Sequence, residues 1–240
     1  MWNSIFRRDF FGFFNNISAY VILAVYVLLS MTTTFFIGMY LITPNHSMIS
    51  FFSFQPYILA LVIPAVTMRS WAEEIRNGTA ESLLTFPITS LHLVLAKFFA
   101  ALAIILVMLL FSIPLLVTSA FYITIDWGTI FCSYLGLIAS TAILCAFGCL
   151  FSALISIPAA AYMLALLFSL LWINFNWGLI ITSGFKNVPF YFERVLNFGD
   201  SYQSFLNGQI SPSAIFYFVT LLCLLLFLNW LIIDNRRNRK

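Results

Sequence analysis

Residues 91–121 read LHLVLAKFFAALAIILVMLLFSIPLLVTSAF, and this run decides the class of fold. Lys97 is the one Lys, Arg, Asp or Glu within it. A helix rises about 1.5 Å per residue and a bilayer core is about 30 Å thick, so roughly 20 apolar residues cross a membrane. The run exceeds that length, and Pro114 predicts a bend or break inside it. The sequence therefore predicts an all-α integral membrane protein.

The whole chain has the composition of a protein that faces lipid. Its 240 residues are 62% hydrophobic and only 8% charged, against about 45–50% apolar and about 25% charged in a soluble domain. Further apolar runs bring the prediction to six transmembrane helices in one membrane domain, residues 1–240. The predicted spans are residues 17–42, 54–68, 91–121, 129–156, 158–182 and 212–233.

The basic residues predict the orientation. With the N-terminus inside, nine of the eleven Lys and Arg residues lie on the inner side. They are Arg7, Arg8, Arg69, Arg76, Lys97, Arg236, Arg237, Arg239 and Lys240. Lys186 and Arg194 lie on the outer side. Because inner segments of membrane proteins are rich in Lys and Arg, both termini are predicted to be cytoplasmic. No basic face for nucleic acid is predicted.

The first sixteen residues predict an amphipathic helix in the inner interface. Apolar residues recur at helical spacing, and the polar residues fall largely elsewhere. The apolar positions are Trp2, Phe6, Phe10, Phe13 and Ile17, and the polar ones are Asn3, Arg7, Arg8 and Asn15. The alternative is a frayed start to the first span.

The segment 68–97, between the second and third spans, exceeds the about 2–8 residues that a connecting turn needs. Trp71, Ala72 and Ile75 give a short helix an apolar side, and Asn77-Gly78 ends it. A second short helix is predicted at 80–85. The length and charges of the segment fit a docked cytoplasmic partner and a solvated loop equally well.

Three polar side chains near the start of the third span have predicted roles. Thr89 or Ser90 is expected to cap that span. Lys97 is expected to extend back to the lipid phosphates.

Residues 183–211 predict two short helices in the outer interface, too brief to span and divided at Gly199. Asn207-Gly208 closes the segment. The simpler interpretation is an aromatic belt, and the functional one is a lid over an exit path. The gate residues would be Phe190, Phe192, Glu193, Arg194 and Phe198.

The motifs of several enzyme and transporter classes are missing from the sequence. There is no G-x-x-x-x-G-K-[ST] nucleotide-binding loop, and the two histidines, His46 and His92, lie on opposite sides of the predicted membrane. Cys145 and Cys149 share a helix face, where packing is favoured over a metal pair. No predicted span carries a carboxylate or lysine at mid-depth, which argues against ion-coupled transport.

Small residues form stripes in the fourth and fifth spans. Gly136, Ser140, Gly148, Ser152 and Ser156 recur at multiples of four, as do Ala161, Ala165 and Ser169. Such stripes let helices approach closely, here between spans four and five. Asn174 and Asn176 are polar without charge, and either line a path or bond between helices.

Two short runs resemble a known family. They are PAVTMRSWAEE at 64–74 and GTAESLLTFP at 78–87, followed by Ala96-Lys97 where the family pattern has Gly-Lys. The chain resembles ABC-type exporter permeases of the second class (ABC-2 type), in particular the gliding-motility and nitrous-oxide-maturation branch. Asn207-Gly208-Gln209-Ile210 before the last span is a weaker second match.

The resemblance implies a permease subunit that exports substrate by alternating access, and no enzyme activity of its own. A separate P-loop ATPase would bind ATP and Mg²⁺, and this chain no cofactor. Two permease copies, identical or related, would assemble in the lipid of a bacterial inner membrane. The start of the chain would be an elbow helix, and the coupling helix after span two would contact the ATPase. Its residues would be Arg69, Glu73, Glu74, Arg76, Gly78, Thr79 and Glu81.

The alternative functions are a membrane scaffold or assembly protein and a channel, neither coupled to an ATPase. A channel is disfavoured because no filter-like or ring-forming charged segment is present. An intramembrane enzyme is disfavoured because no catalytic groups converge.

Overall fold

A computed structural model describes residues 2–37, 49–80, 89–120, 126–174 and 197–238. Every regular element within these ranges is a helix. They are α1 (Trp2–Phe14), α2 (Ile17–Thr32, continued by the π-helical turn Thr33–Ile37), α3 (Ile49–Arg76), α4 (Ser90–Leu110), α5 (Ile113–Ala120), α6 (Trp127–Leu154), α7 (Pro158–Asn174), α8 (Phe198–Leu206) and α9 (Pro212–Asn238).

Within the described ranges, five stretches are long and apolar enough to cross a bilayer, which makes the chain a multi-pass membrane protein. They are Ile17–Phe35, Ile49–Arg76, Ser90–Thr118, Trp127–Leu154 and Pro212–Arg237. The helix α7 is equally apolar, but its described part has only 17 residues. The predicted end of that span, 175–182, lies outside the described residues, and the total of six spans stays a prediction.

The helix α3 is longer than its predicted span. It runs unbroken from Ile49 to Arg76 and includes the residues assigned to a separate short helix. That separation is wrong, because nothing between Met68 and Ile75 breaks a helix. The first residue that does is Gly78, which follows Arg76 and adopts the left-handed φ of 73°. The predicted second helix, 80–85, lies largely outside the described residues.

The third predicted span is broken, as Pro114 indicated. The helix α4 ends at Leu110, a turn at Phe111 and Ser112 follows, and Pro114 lies in the first turn of α5. Proline fits there because the first-turn N–H groups of a helix have no intrahelical partner.

The capping prediction for the start of α4 is wrong. Thr89 occupies the N-cap position but makes no side-chain cap hydrogen bond, since its hydroxyl bonds His92 Nδ1 instead. Ser90 is the first helical residue, and its hydroxyl donates to Asp234 Oδ1 of α9 at 2.7 Å. Both hydroxyls therefore make contacts that a local pattern does not reveal.

The outer predicted segment is described only from residue 197. The helix α8 begins at Phe198, one residue before Gly199, and the predicted helix on the other side of that division lies outside the described residues. The predicted closure at Asn207-Gly208 is confirmed, because Gly208 follows the helix with a φ of 74°.

The core lies where α3 packs against α6. A Cβ on Gly148 of α6 would lie 2.0 Å from Thr67 Oγ1 of α3, and a Cβ on Gly136 would lie 2.7 Å from Phe205 Cβ of α8. Gly148 and Gly136 thus allow α3 and α8 to approach α6 closely, whereas the predicted neighbour of this stripe was α7. The stripe of α7 is also buried, on a helix that packs against both α3 and α6. Cys145 and Cys149 are fully buried on α6.

The first helix is separate from the first span. Residues 15 and 16 are not helical and separate α1 from α2, which contradicts the frayed-start alternative. Ile5 is buried, and Phe10, Phe13 and Phe14 pack against the main core, whereas Arg7 is exposed. Ile17, which was predicted to continue the apolar face of α1, instead begins α2 and is exposed.

Candidate functional site

Five elements meet at one end of the bundle, which we call the charged end. It comprises α1, the last turns of α3, the first turns of α4, and the ends of α6 and α9. Its apolar centre consists of Ile5, Trp71, Leu93, Val94, Ala96, Ala153 and Ile233. The polar contacts around that centre join distant parts of the chain, since Arg236 Nη2 donates to Leu154 O at 3.2 Å. Ile5 of α1 and Ile233 of α9 both belong to this centre, so the first and last described helices meet on one side of the bundle.

The side chain of Lys97 is the most deeply buried charge at this end, with 1% of it exposed. Its Nζ lies 2.8 Å from Glu74 Oε2 of α3 and 3.6 Å from Asp9 Oδ2 of α1. It also donates to the Ser70 carbonyl and lies 4.6 Å from the centroid of the Trp71 ring. The prediction that Lys97 extends back to the lipid phosphates is wrong, because its ammonium group is buried among these partners. A buried ammonium is stable only when it is paired and hydrogen-bonded, and these contacts meet that requirement.

Arg8 completes this group of ion pairs from α1. The Nη2 atom of Arg8 lies 2.7 Å from Glu74 Oε1 and 2.8 Å from Asp9 Oδ1. Burial alone would lower the pKa of Arg8, but the charges and hydrogen bonds of Asp9 and Glu74 outweigh it and raise that pKa. We call Arg8, Asp9, Glu74 and Lys97 the Lys97 cluster. It contains two positive and two negative groups and connects α1, α3 and α4.

Of the seven residues predicted to contact a partner, the structure describes six. Arg69, Arg76, Gly78 and Thr79 are exposed, and Glu73 is half-buried. Among the described residues, Arg69, Glu73 and Arg76 have no oppositely charged atom within 4.0 Å. Glu74 instead points inward to Lys97 and Arg8, and Glu81 lies outside the described residues. The adjacent carboxylates Glu73 and Glu74 thus differ in their ionic contacts.

A cavity of about 430 Å³ opens beside the Lys97 cluster between α1, α2, α3 and α4. Its polar side includes Arg69 and Glu73, and its apolar side includes Ile22, Val66 and Ile104. Because Lys97 and Glu74 also line it, the cluster has space beside it into which side chains can move.

The end of α3 is attached to α6 by a serine that sequence reasoning assigned only to packing. Ser152 Oγ accepts hydrogen bonds from Trp71 N at 3.0 Å and Ala72 N at 3.1 Å, and it donates to Met68 O at 2.9 Å. The hydroxyl therefore bonds the backbone of α3 one turn before Glu74 and fixes the position of that turn.

The opposite end, which we call the aromatic end, is built around α8. Phe198 is buried, with its ring centroid 4.4 Å from that of Trp172 and stacked on Tyr202 at 5.4 Å. Tyr202 donates to Phe52 O at 2.7 Å. Of the predicted gate residues, Phe190, Phe192, Glu193 and Arg194 lie outside the described residues, so the structure places only Phe198.

Several residues of the charged end were not singled out for these contacts. Asp9, Ser70, Ser90 and Asp234 all pair with residues far away in the chain. The sequence contained one signal for the role of Asp9, because Lys97 lies within an apolar run and a lysine there requires an anionic partner. Which carboxylate supplies it depends on how α1 lies against α4.

These features define a polytopic α-helical membrane protein with an ordered, ion-paired end. The model of the family described as ABC-2 family transporter protein matches residues 15–233. The chain belongs to this family and is thus a permease component of an ABC transporter. None of the curated proteins matches the chain.

Proposed function

We propose that this chain is the exporter permease of a two-part machine whose separate P-loop ATPase docks on the charged end. The observation that carries the proposal is a set of charges on the end of α3, the exposed Arg69 and Arg76 and the half-buried Glu73, which have no ionic partner among the described residues. Charges in such a position steer and align a partner of complementary charge. A family member without a nucleotide-binding loop requires such a partner to use ATP.

The proposed docking contact comprises Arg69, Glu73, Arg76, Gly78 and Thr79, with Glu81 added from the sequence pattern. Glu74 belongs to this segment and acts from its inner side. ATP and Mg²⁺ would bind the ATPase. Closure of two ATPase subunits would move the end of α3 in each permease copy and change the access state of the helices.

The remaining features follow from this arrangement. We place the protein in a bacterial inner membrane with six spans, both termini cytoplasmic and α1 as an elbow helix in the inner interface. Two copies, or two related chains, would form the transport path, with Phe190, Phe192, Glu193, Arg194 and Phe198 at its outer gate. The large exposed apolar side chains of α2, α7 and α9, such as Leu28, Leu171 and Phe227, are available for lipid or a second copy. Residues 64–87 support placing the chain in the gliding-motility and nitrous-oxide-maturation branch.

The first test is purification of the tagged chain from native membranes in mild detergent, with an assay of ATP hydrolysis. We expect a P-loop ATPase in stoichiometric amount. The variants Arg69→Glu and Glu73→Lys should reduce its recovery strongly, because each reverses a charge at the contact. Gln209→Lys is the matched control, since it adds a charge at an exposed position of the aromatic end.

The proposal is contradicted if no ATPase is recovered in two different detergents, a result that would favour the scaffold or channel alternatives. It is also contradicted in its choice of contact if both charge reversals retain the ATPase as well as Gln209→Lys does.

A further inference from the structure

Glu73 and Glu74 are neighbours in sequence and both line the cavity, but their ionic contacts differ. Glu73 carries no ion pair among the described residues, whereas both oxygens of Glu74 lie within 2.8 Å of a cationic nitrogen. Successive residues of a helix point about 100° apart, so one can face a docked partner while the other faces the bundle. The two carboxylates are therefore unsuited to a single role.

The inward contacts of Glu74 connect three helices, and among the described residues they are the only ion pairs that α3 makes with α1 or α4. Oε2 pairs with Lys97 at the start of α4, and Oε1 pairs with Arg8 of α1. Asp9 closes the group, since its two oxygens lie 2.8 Å from Arg8 Nη2 and 3.6 Å from Lys97 Nζ. The helix α1 packs along α4, so the cluster reinforces an existing contact.

Separation of these groups is unfavourable because Lys97 is shielded from water. Coulomb attraction is far stronger at low effective dielectric than in water, and an unpaired buried ammonium is strongly disfavoured. A shift of α3 that left α4 behind would separate Lys97 from Glu74 and from the Ser70 carbonyl simultaneously. A rigid displacement of α1, α3 and α4 together breaks none of these contacts.

We propose that Glu74 and Lys97, extended by Asp9 and Arg8, are positioning residues that make the end of α3, α1 and the start of α4 move as one body. This inference rests on the proposed function and deepens it. Glu73 belongs to the ATPase contact, and Glu74 passes the resulting displacement to α1 and α4. The α1 helix is then a moving part of the transporter as well as an interfacial one.

The test measures the distance between spin labels at Ser4→Cys on α1 and Asn77→Cys after α3, both at exposed positions. Cys132→Ala and Cys223→Ala remove the native cysteines that are accessible, and the buried Cys145 and Cys149 remain. The full chain in lipid nanodiscs, with labelled copies diluted by unlabelled ones so that only the distance within a copy is measured, should give one narrow distance, unchanged by ATP trapping when the ATPase is bound.

The variants Glu74→Gln and Lys97→Met should lose the single narrow distance while retaining ATPase binding. Lys97→Arg keeps the charge and should restore the narrow distance. Glu73→Gln should reduce ATPase binding without broadening the distance between the labels. Asp9→Asn changes a more exposed group and should broaden the distance distribution less. This variant serves as the test if the other variants do not fold. A wild-type distance in both Glu74→Gln and Asp9→Asn, or in Asp9→Asn alone if the others do not fold, overturns the inference.

The two proposals fail in different ways. The distance within the isolated chain tests the Lys97 cluster without any partner. Absence of an ATPase from the purified wild-type chain would overturn the proposed function, whatever the labels report. An ATPase bound equally by wild type and Glu74→Gln, with identical label distances, would overturn only the positioning role.

Discussion

The charged end and the aromatic end of the bundle are held together by different interactions. At the charged end, ion pairs and hydroxyl groups connect helices that are far apart in sequence, and further charges remain exposed. At the aromatic end, the rings of α8 fill the space between helices, and a tyrosine donates to a backbone carbonyl. The comparison indicates that polar groups determine helix positions at one end, whereas packing of rings does so at the other.

Removal of the buried charge should have the largest effect on stability. We expect Lys97→Met to destabilise the protein by about 3–5 kcal/mol, because it leaves Glu74 and Asp9 without their buried partner. Thermal or denaturant unfolding in detergent measures this loss. Lys97→Arg should retain most of the stability, since the adjacent cavity gives the larger side chain space. An unchanged melting temperature for Lys97→Met would show that packing dominates at this end too.

The contact between α3 and α6 should be next in size. We expect Gly148→Ala to cost about 1–3 kcal/mol, because the added methyl would overlap Thr67, which is buried. Gly12→Ala is the matched control, since a Cβ added there would have nothing within 4 Å and alanine favours a helix. Equal stability of the two variants would contradict the close approach of α3 and α6.

A buried amide tests whether every polar group near the charged end stabilises the fold. Asn229 of α9 is fully buried, and neither side-chain polar atom has a hydrogen-bond partner within the described part of the chain. Because an unsatisfied buried group costs about 1–3 kcal/mol, Asn229→Leu should stabilise the protein by about 1 kcal/mol. A lower melting temperature would mean that the amide has a partner in the assembled transporter. Ser169→Ala, another buried unpartnered group, provides the comparison.

The smallest effect is expected at the aromatic end. Tyr202→Phe removes one hydroxyl that donates to Phe52 O and leaves the ring stacked on Phe198. A hydrogen bond of this kind in a membrane protein contributes about 0.6 kcal/mol, so the melting temperature should fall only slightly. Tyr202→Ala, which also removes the ring, should have a much larger effect. Similar losses in the two variants would contradict the dominance of ring packing.

Local patterns predicted most of the helical boundaries. Apolar runs located the spans because lipid requires about 20 apolar residues in succession. Glycine and proline fixed several ends, at Gly78, Pro114 and Gly208, because their backbone restrictions act within a few residues. The separate helix at Trp71 was predicted wrongly, since a charged, less apolar stretch was taken as the end of a helix that in fact continues.

The sequence by itself determined the membrane class, the positions of the long helices, the family resemblance and the side on which positive charge accumulates. Only the tertiary structure decided which charges are paired. Lys97 and Asp9 are 88 positions apart in the numbering of the chain, and Glu74 differs from Glu73 only by the helix face it occupies. Ion-pair energy depends on distance and on exclusion of water, and both arise when α1, α3 and α4 pack together.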